Sequence, residues 1–310
     1  MDSEIRVTQN GDRFRHTLYI QGVEASSLDV VDLQMRLGSC SVRVGGIANV
    51  GTRNDYRGKG YSRMLLQNCM EWLPNEGFSC SLLFGITDYY QKFGYQVCLP
   101  ENRIEIATRH AENAISTLNH RPFANADLEA VKKLHEYTDQ NLSGSIVRSA
   151  SKEWFRRGSR YMRQPAVEVF TDAHNSIVAY IAFDAHYDSN PIQHELICSE
   201  YGVASPAYYA DLVHFFAQKA LAMRLEKIAF LCPPQSGFIS LSSLFGAEQH
   251  IHYPAGQEGM GRLCDLTRFF QATLSEWTLQ AKRAVDTLVL GDAVRFETEI
   301  GDITLHLGWG

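Results

Sequence analysis

The stretch that decides the fold runs from Gly51 to Leu66 and reads GTRNDYRGKGYSRMLL. Its two central glycines, Gly58 and Gly60, let a backbone approach a ligand closely, because neither carries a Cβ atom. From Tyr61 onward, apolar residues recur three or four positions apart, which predicts a helix. The free amides and the dipole of a helix N-terminus attract anions. The stretch therefore predicts an anion site at a turn between a strand and a helix.

Two common phosphate motifs do not fit these glycines. A P-loop needs Ser or Thr directly after Lys59 to hold magnesium, and Gly60 stands there. A dinucleotide fingerprint needs a third small residue where Arg63 stands. What remains is the pattern Arg57-x-x-Gly60-x-Ser62, which predicts a pyrophosphate cradle that works without a metal.

The rest of the first half alternates between strand and helix patterns. The predicted elements are strands 14–20, 28–37 and 42–52, a helix from Tyr61 to Leu73 that Pro74 ends, strand 78–85, a short helix capped by Asp88 and ended by Gly94, and strand 103–109. The fold class is therefore α/β, or α+β, with mixed sheets flanked by helices.

The second half repeats this order of elements after a break at residues 110–126. The predicted elements are helices 127–137 and 151–157, strands 166–171, 176–184 and 195–203, helix 206–224, and strands 227–232 and 261–267. A helix at 273–285 and a β-hairpin over 288–307, turning around Gly301-Asp302, follow. The sequence therefore predicts two copies of one fold, followed by a short C-terminal helix and hairpin.

Two motifs resemble the GNAT superfamily of N-acetyltransferases. Val50-Gly-Thr52 followed by Arg57-Gly-Lys-Gly60-Tyr-Ser62 resembles its acetyl-coenzyme A motif, Gln/Arg-x-x-Gly-x-Gly/Ala, with serine as a departure at the last position. The segment FGITDYYQKFGY, residues 84–95, resembles a second segment of the same family. The repeat and the C-terminal hairpin narrow the resemblance to the Eis-type branch. It implies a GNAT domain over 1–120, a degenerate GNAT-like domain over 121–272 and a partial sterol-carrier-protein-like segment over 273–310.

The same resemblance implies acetyl-coenzyme A as the co-substrate, with no metal. The residues implied in binding it are Val50, Gly51 and Thr52 for the pantetheine arm, and Arg57, Gly58, Lys59, Gly60, Tyr61, Ser62 and Arg63 for the pyrophosphate. Tyr90 matches the general acid that protonates the departing thiolate. The alternative, an ordinary core aromatic beside Tyr89 and Tyr95, stays open. The general base is unassigned.

The matching junction of the second copy has lost the phosphate pattern. Tyr208 and Tyr209 stand where glycines would admit a ligand, and Asp211 adds a negative charge near the helix start. We therefore expect a structural domain that helps to wall the acceptor site, and one coenzyme per chain. His250 and His252 lack a second pair of ligands at a recognised spacing, which favours solvated or core residues over a metal site.

Composition excludes several other classes of protein. The 310 residues, 45% of them apolar, suffice for two ordinary domains. No uninterrupted apolar window is long enough to span a membrane, and the seven cysteines never form a CxxC pair, so we expect a cytoplasmic protein with reduced thiols. The net charge of −6 makes nucleic acid a poor partner. A small-molecule or peptide amine is the expected acceptor, and a homo-oligomer is an open alternative to a monomer.

Two hypotheses of function follow. The first is an acyltransferase that moves acetyl from acetyl-coenzyme A to a primary amine by direct attack in a ternary complex. The alternative is a coenzyme A-binding pseudoenzyme or sensor. This alternative stays open because family members place helices ahead of the first strands, and residues 1–13 are too few and too polar to form them. Amine acetylation with release of coenzyme A would separate the two.

Overall fold

The computed structural model describes residues 2–86, 88–148, 165–184, 195–253, 258–284 and 293–306. The strands are β1 (Ser3–Asn10), β2 (Arg13–Ile20), β3 (Val23–Leu37), β4 (Cys40–Thr52), β5 (Cys80–Gly85), β6 (Gln96–Leu99), β7 (Glu101–Ala107), β8 (Asn119–Pro122), β9 (Pro165–Thr171), β10 (Ile177–Asp184), β11 (Glu195–Val203), β12 (Lys227–Leu231), β13 (Glu248–His252), β14 (Glu258–Leu263), β15 (Ala293–Thr298) and β16 (Gly301–His306). The α-helices are α1 (Tyr61–Asn75), α2 (Thr108–Ala111), α3 (Leu128–Asp139), α4 (Tyr209–Ala222), α5 (Phe238–Ser242) and α6 (Leu266–Ala284). None of these described helices has the length and apolarity needed to cross a bilayer.

The chain divides into two compact units. The first unit contains residues 1–100, 143–147 and 253–310, and the second contains residues 101–142 and 148–252. Each unit has its own seven-stranded mixed sheet and its own buried apolar core. The expected α/β class with two mixed sheets flanked by helices is confirmed. The domain ranges 1–120, 121–272 and 273–310 remain predictions.

The sheet of the first unit has the strand order β1-β2-β3-β4-β5-β14-β6. All its neighbours are antiparallel except β4 and β5, which run parallel. A tight turn joins β2 to β3, where Gln21 and Gly22 both take positive φ angles, 50° and 77°. Positive φ at both central residues is what a two-residue hairpin between right-twisted strands requires.

The parallel pair β4 and β5 opens towards its carboxyl end. Among the described residues, pairing between the two strands ends at Gly46↔Leu82. A bulge then follows in β4, because Asn49 and Val50 together lie opposite Leu28 of β3. Asn49 has a φ of 52°, and its Nδ2 donates to Oδ2 of Asp29 at 2.7 Å. The bulge bends β4 and leaves a gap between the ends of two neighbouring strands.

Helix α1 covers one face of this sheet. Its buried residues Leu65, Leu66, Cys69, Met70 and Leu73 recur at helical spacing and pack in one apolar cluster with residues of β2, β3 and β5. The predicted end at Leu73 is two residues short, since the helix includes Pro74 and runs to Asn75. The opposite face of the sheet carries a second cluster, which α6 contacts through Phe269.

The sheet of the second unit has the order β13-β7-β12-β11-β10-β9-β8, and its one described parallel pair is β11 with β12. Helices α3 and α4 pack on opposite faces of it, since Tyr180 of β10 contacts the α3 cluster while its neighbours Ala179 and Ile181 contact the α4 cluster. Two strands depart from chain order. β7 follows β6 in sequence but lies in the second sheet, and β14 lies in the first sheet between β5 and β6.

Several expectations from the sequence need correction. Asp88 does not cap the short helix after β5: that 3₁₀ helix, Tyr90–Phe93, has Tyr89 at its N-cap and no side-chain cap bond. The predicted strand 261–267 is Glu258–Leu263, and the predicted helix 273–285 begins earlier, at Leu266. The C-terminal hairpin turns just before Gly301, which pairs with Thr298. The predicted helix 151–157 lies outside the described residues.

Six elements were missed by the sequence analysis: β1, β6, α2, β8, α5 and β13. For β1 a signal was present, because Asn10-Gly11 between two alternating segments is a strong hairpin pattern. β8 and β13 are short and exposed along their whole length, so they carry no apolar alternation to detect.

Candidate active site

The gap between β4 and β5 forms a cleft of about 620 Å³. Its lining residues are Val50, Gly51, Thr52, Arg57, Ser62, Phe84, Gly85, Ile86, Tyr89 and Tyr90. Six of these are residues that the sequence singled out, from both motifs. The structure therefore brings the end of β4, the start of α1 and the 3₁₀ helix together at one opening.

The turn before α1 has the backbone of an anion cradle. Gly58 and Gly60 have φ angles of 75° and 80°, and a Cβ atom built at either position would meet nothing within 4 Å. Gly60 is the N-cap of α1, and the helix begins with the bond from the Met64 amide to its carbonyl at 3.0 Å. The preceding amides of the first turn lack helical acceptors, as at every helix start. The cradle therefore has space in front of it and donors facing that space.

The charge around this turn is positive. Arg57, Lys59 and Arg63 are exposed, and the first turn of α1 contains no acidic residue. Arg57 Nε donates to the Thr52 carbonyl at 3.4 Å, which holds the guanidinium at the cleft. Lys59 Nζ donates to the Asp55 carbonyl at 3.0 Å. Three cations with a helix N-terminus suit a pyrophosphate.

Five of the predicted binding residues do not line the cleft itself: Gly58, Lys59, Gly60, Tyr61 and Arg63. They form the turn and the first helical residues beside it. Their roles in binding remain predictions.

The end of β4 is held by β3. Ser26 Oγ donates to the Gly51 carbonyl at 2.8 Å and lies 3.0 Å from Thr52 Oγ1. These bonds fix the strand that lines one wall of the cleft. Because β5 does not pair with this part of β4 among the described residues, an extended ligand chain can lie along it as an added strand would.

Tyr90 is positioned by the first turn of the 3₁₀ helix and by a glycine beneath it. Its ring lies 5.0 Å from the ring of Tyr89 and 6.3 Å from that of Tyr95, both edge-on. A Cβ atom on Gly85 would come within 2.4 Å of the Tyr90 ring, so a glycine is needed there for this packing. Among the residues that the structure describes, none hydrogen-bonds to the Tyr90 hydroxyl.

Burial sets the protonation of Tyr90. Partial burial raises the pKa of its phenol above the usual range, and neighbouring Tyr89 raises it further. The hydroxyl therefore stays protonated at neutral pH and well above it. Such a group can donate a proton but cannot serve as a base at physiological pH.

Sequence reasoning missed four residues of the cleft: Phe84, Gly85, Ile86 and Tyr89. The Tyr89 hydroxyl lies 2.8 Å from Ser62 Oγ and so links the 3₁₀ helix to the start of α1. A signal existed, because Ser62 departs from the Gly/Ala of the motif it resembles and brings a hydroxyl that needs a partner.

The corresponding opening in the second unit is filled by the chain itself. β11 and β12 are also parallel and pair only as far as Cys198↔Phe230. Beyond that point Tyr201, Tyr209 and Phe238 are buried with ring centroids 5.4 to 6.0 Å apart. We infer that these aromatic side chains fill the position in the second unit that corresponds to the gap between β4 and β5 in the first.

The Asp211 carboxylate forms hydrogen bonds within the second unit. Its Oδ1 accepts hydrogen bonds from the Thr117 amide at 2.6 Å, the Leu118 amide at 3.0 Å and Ser116 Oγ at 2.9 Å. Through these hydrogen bonds the buried carboxylate holds the loop on α4. The residue that the sequence identified as incompatible with a phosphate is thus an anchor for residues 116–118.

One group of potential metal ligands occurs among the described residues. Atoms of Glu105, Glu248 and His250 lie within 4.8 Å of one another. However, Lys227 Nζ lies 2.9 Å from one oxygen of Glu105, and Arg103 Nε lies 2.8 Å from the other. Two cations already neutralise the carboxylate that a metal would need, so the cluster is better described as an ion-pair network.

The cysteines are all free thiols. Five are buried, Cys40 is half-buried and Cys98 is exposed. Burial raises the pKa of Cys80 to about 12, and that of Cys69 likewise to about 12. Since the thiolate is the nucleophilic form, these two thiols are poor candidates for covalent catalysis.

The cleft lies within a segment that matches a known domain. Residues 14–98 match a family model described as an acetyltransferase (GNAT) domain. This part of the chain is therefore a GNAT acetyltransferase domain, as the two motifs predicted. Among curated protein sequences, none gave a significant match.

Three solved structures share the fold at low sequence identity. A GCN5-related N-acetyltransferase from Kribbella flavida is 15% identical, with a TM-score of 0.66 over 95% of this chain and 71% of its own. One from Anabaena variabilis is 19% identical, with a TM-score of 0.66 over 83% of this chain and 64% of its own. The present chain thus spans less than two thirds of that relative's length. Eis1 from Mycobacterium abscessus is 16% identical, with a TM-score of 0.59 over 95% of this chain and 78% of its own.

These likenesses establish the fold. An Eis protein is among these structural neighbours, while the resemblance to GNAT acetyltransferases is supported by the family model over residues 14–98. The sterol-carrier-protein-like character of the C-terminal segment remains a prediction.

Proposed function

We propose that the protein transfers an acetyl group from acetyl-coenzyme A to a primary amine, by direct attack in a ternary complex. The observation that carries this proposal is the cleft, which joins a pyrophosphate cradle, an unpaired strand end and a protonated tyrosine. The GNAT domain match supports the same class of reaction. A small molecule or a peptide can carry the amine.

The proposed binding mode divides the coenzyme between two parts of the cleft. The pyrophosphate would accept hydrogen bonds from the first-turn amides of α1, with Arg57, Lys59 and Arg63 balancing its charge. The pantetheine arm would run along β4 at Val50, Gly51 and Thr52. The positive φ angles and the open space at Gly58 and Gly60 fit such a ligand. No metal is required in this arrangement.

In the proposed reaction the amine nitrogen attacks the thioester carbonyl, a C–N bond forms and the C–S bond breaks. Tyr90 donates its phenolic proton to the departing sulfur, and the amine loses a proton to solvent or to a base that we do not assign. Tyr90 then regains its proton from water. No bond forms between the acetyl group and the protein, consistent with the raised pKa values of Cys69 and Cys80.

The test is an acceptor screen with the full chain. Acetyl-coenzyme A is mixed with single primary amines, and released thiol is measured with a chromogenic reagent against a reaction without amine. We expect thiol release that depends on the amine and saturates with it. Tight binding of coenzyme A without amine-dependent release from any amine would contradict the proposal.

We also expect one coenzyme per chain, because Tyr201, Tyr209 and Phe238 fill the second opening. Native mass spectrometry of the chain saturated with coenzyme A should show one ligand per subunit. Two ligands bound with equal affinity would show that the second unit retains a site.

We also propose a cellular location and a range of binding partners for the protein. We place the protein in the cytoplasm on the basis of its free, mostly buried cysteines. We propose no nucleic-acid partner and no membrane association, given the acidic net charge of −6.

A further inference from the structure

Two large apolar side chains are exposed in the cleft. Phe84 is 74% exposed and Ile86 is 58% exposed, and both line the same opening as Tyr90. Phe84 lies on β5 between Leu83 and Gly85, which are both buried on the opposite face of the strand. Apolar side chains left in water at a cleft are a common mark of a ligand site.

The formal charge among the described residues of the cleft is of one sign, positive. Of the ten described residues that line it, Arg57 is the only one with a formal charge, and none is Asp or Glu. Arg57 belongs to the cradle, where it faces phosphate in the proposed mode. A polycationic acceptor would therefore find no carboxylate to pair with among the described lining residues.

We propose that Phe84 and Ile86 form an acceptor subsite, and that the preferred acceptor is a primary amine carried on an aryl or alkyl body. This inference rests on the proposed acetyl transfer and adds the class of acceptor to it. The apolar body would cover the two side chains and leave the amine near the thioester. A short polar amine or a polyamine gains nothing from this surface.

A long acyl chain on the thioester could cover the same two side chains. The test therefore has an acceptor arm and a donor arm. The acceptor arm compares phenethylamine, ethanolamine and spermidine with acetyl-coenzyme A, and the donor arm compares hexanoyl-coenzyme A with acetyl-coenzyme A at fixed ethanolamine. In each arm kcat/KM is measured for wild type and variants.

We expect phenethylamine to exceed both polar amines by roughly tenfold or more in kcat/KM, as contacts with an apolar pocket typically allow. Ile86→Ser should remove most of this preference, because it should lower kcat/KM for phenethylamine by a larger factor than for ethanolamine. The matched control is Ile115→Ser, because Ile115 is 76% exposed and lies outside the cleft. Phe84→Ser provides a second variant with the same expected result.

Three results would overturn the inference. One is a preference for spermidine over phenethylamine. Another is an equal loss for all three amines in Ile86→Ser. The third is a loss confined to hexanoyl transfer, which would assign the two side chains to the acyl donor. If coenzyme A binds and no amine is acetylated at all, the proposed function itself fails and the inference with it, a result distinct from the other three.

Discussion

Replacing Tyr90 by phenylalanine is expected to lower kcat on the order of a hundredfold while leaving coenzyme affinity nearly unchanged. The substitution keeps the ring, which packs against Tyr89, Tyr95 and Gly85, and removes only the hydroxyl. Because the described residues offer that hydroxyl no hydrogen bond, its loss should not disturb the fold. Single-turnover kinetics with a saturating amine measure the chemical step, and calorimetric titration measures binding.

The control for this variant must be chosen with the structure in view. Tyr89→Phe is unsuitable, since the Tyr89 hydroxyl contacts Ser62 inside the cleft. Tyr137 is 52% exposed on α3 of the second unit, so Tyr137→Phe should behave as wild type. Acetylation by Tyr90→Phe at the wild-type rate, with chemistry shown to limit turnover, would make Tyr90 a packing residue.

The pH dependence of the rate, compared between wild type and Tyr90→Phe, provides a second readout. Burial raises the pKa of Tyr90, so the protonated donor persists through neutral pH and is lost only as pH rises through that raised value. The wild-type rate should therefore fall on the far alkaline side. Tyr90→Phe, which has no such donor at any pH, should lack that fall.

Replacing Gly60 by glutamine is expected to weaken coenzyme A binding on the order of tenfold or more. Two effects act together. Gly60 has a φ of 80°, which an L side chain rarely adopts, and its Cβ position faces the open space where we place the pyrophosphate. A long side chain there would compete with the phosphates for the amides of α1. Calorimetric titration with coenzyme A gives the affinity directly.

A second glycine separates backbone strain from loss of the cradle. Gly22, in the turn between β2 and β3, has a φ of 77° and likewise nothing within 4 Å of a built Cβ. Gly22→Gln should therefore have a similar cost in stability and leave affinity unchanged. Equal affinities for Gly60→Gln and wild type, or binding abolished by a chelator, would refute a metal-free cradle at this turn.

The sequence predicted those parts of the site that depend on local backbone chemistry. Gly58 and Gly60 take the positive φ angles that glycine tolerates best, and the helix begins directly after Gly60. The binding role of the end of β4, which lies beside the gap to β5, was predicted only from the resemblance to the GNAT superfamily. The bulge next to this gap lies at Asn49 and Val50 of β4.

Non-local features lay beyond the sequence. Chain order would place β7 in the first sheet and β14 in the second, but the structure has them the other way round. Pairing between strands more than a hundred residues apart leaves no periodic signal in the sequence. Phe84 and Ile86 were read as parts of a motif rather than as lining residues, since exposure of an apolar side chain depends on which neighbours cover it. The Ser62 and Tyr89 contact likewise joins residues 27 positions apart.

The central claim, acyl transfer to an amine at this cleft, is tested most directly by following the acyl group itself. Acetyl-coenzyme A labelled with heavy isotopes in the acetyl group is incubated with the protein and phenethylamine, and the products are identified by mass spectrometry. The account predicts a labelled amide formed in equal amount to free coenzyme A by wild type and the Tyr137→Phe control, and much more slowly by Tyr90→Phe. Coenzyme A bound at the cradle with the label remaining on the thioester, for this amine and for every other amine tried, would contradict it.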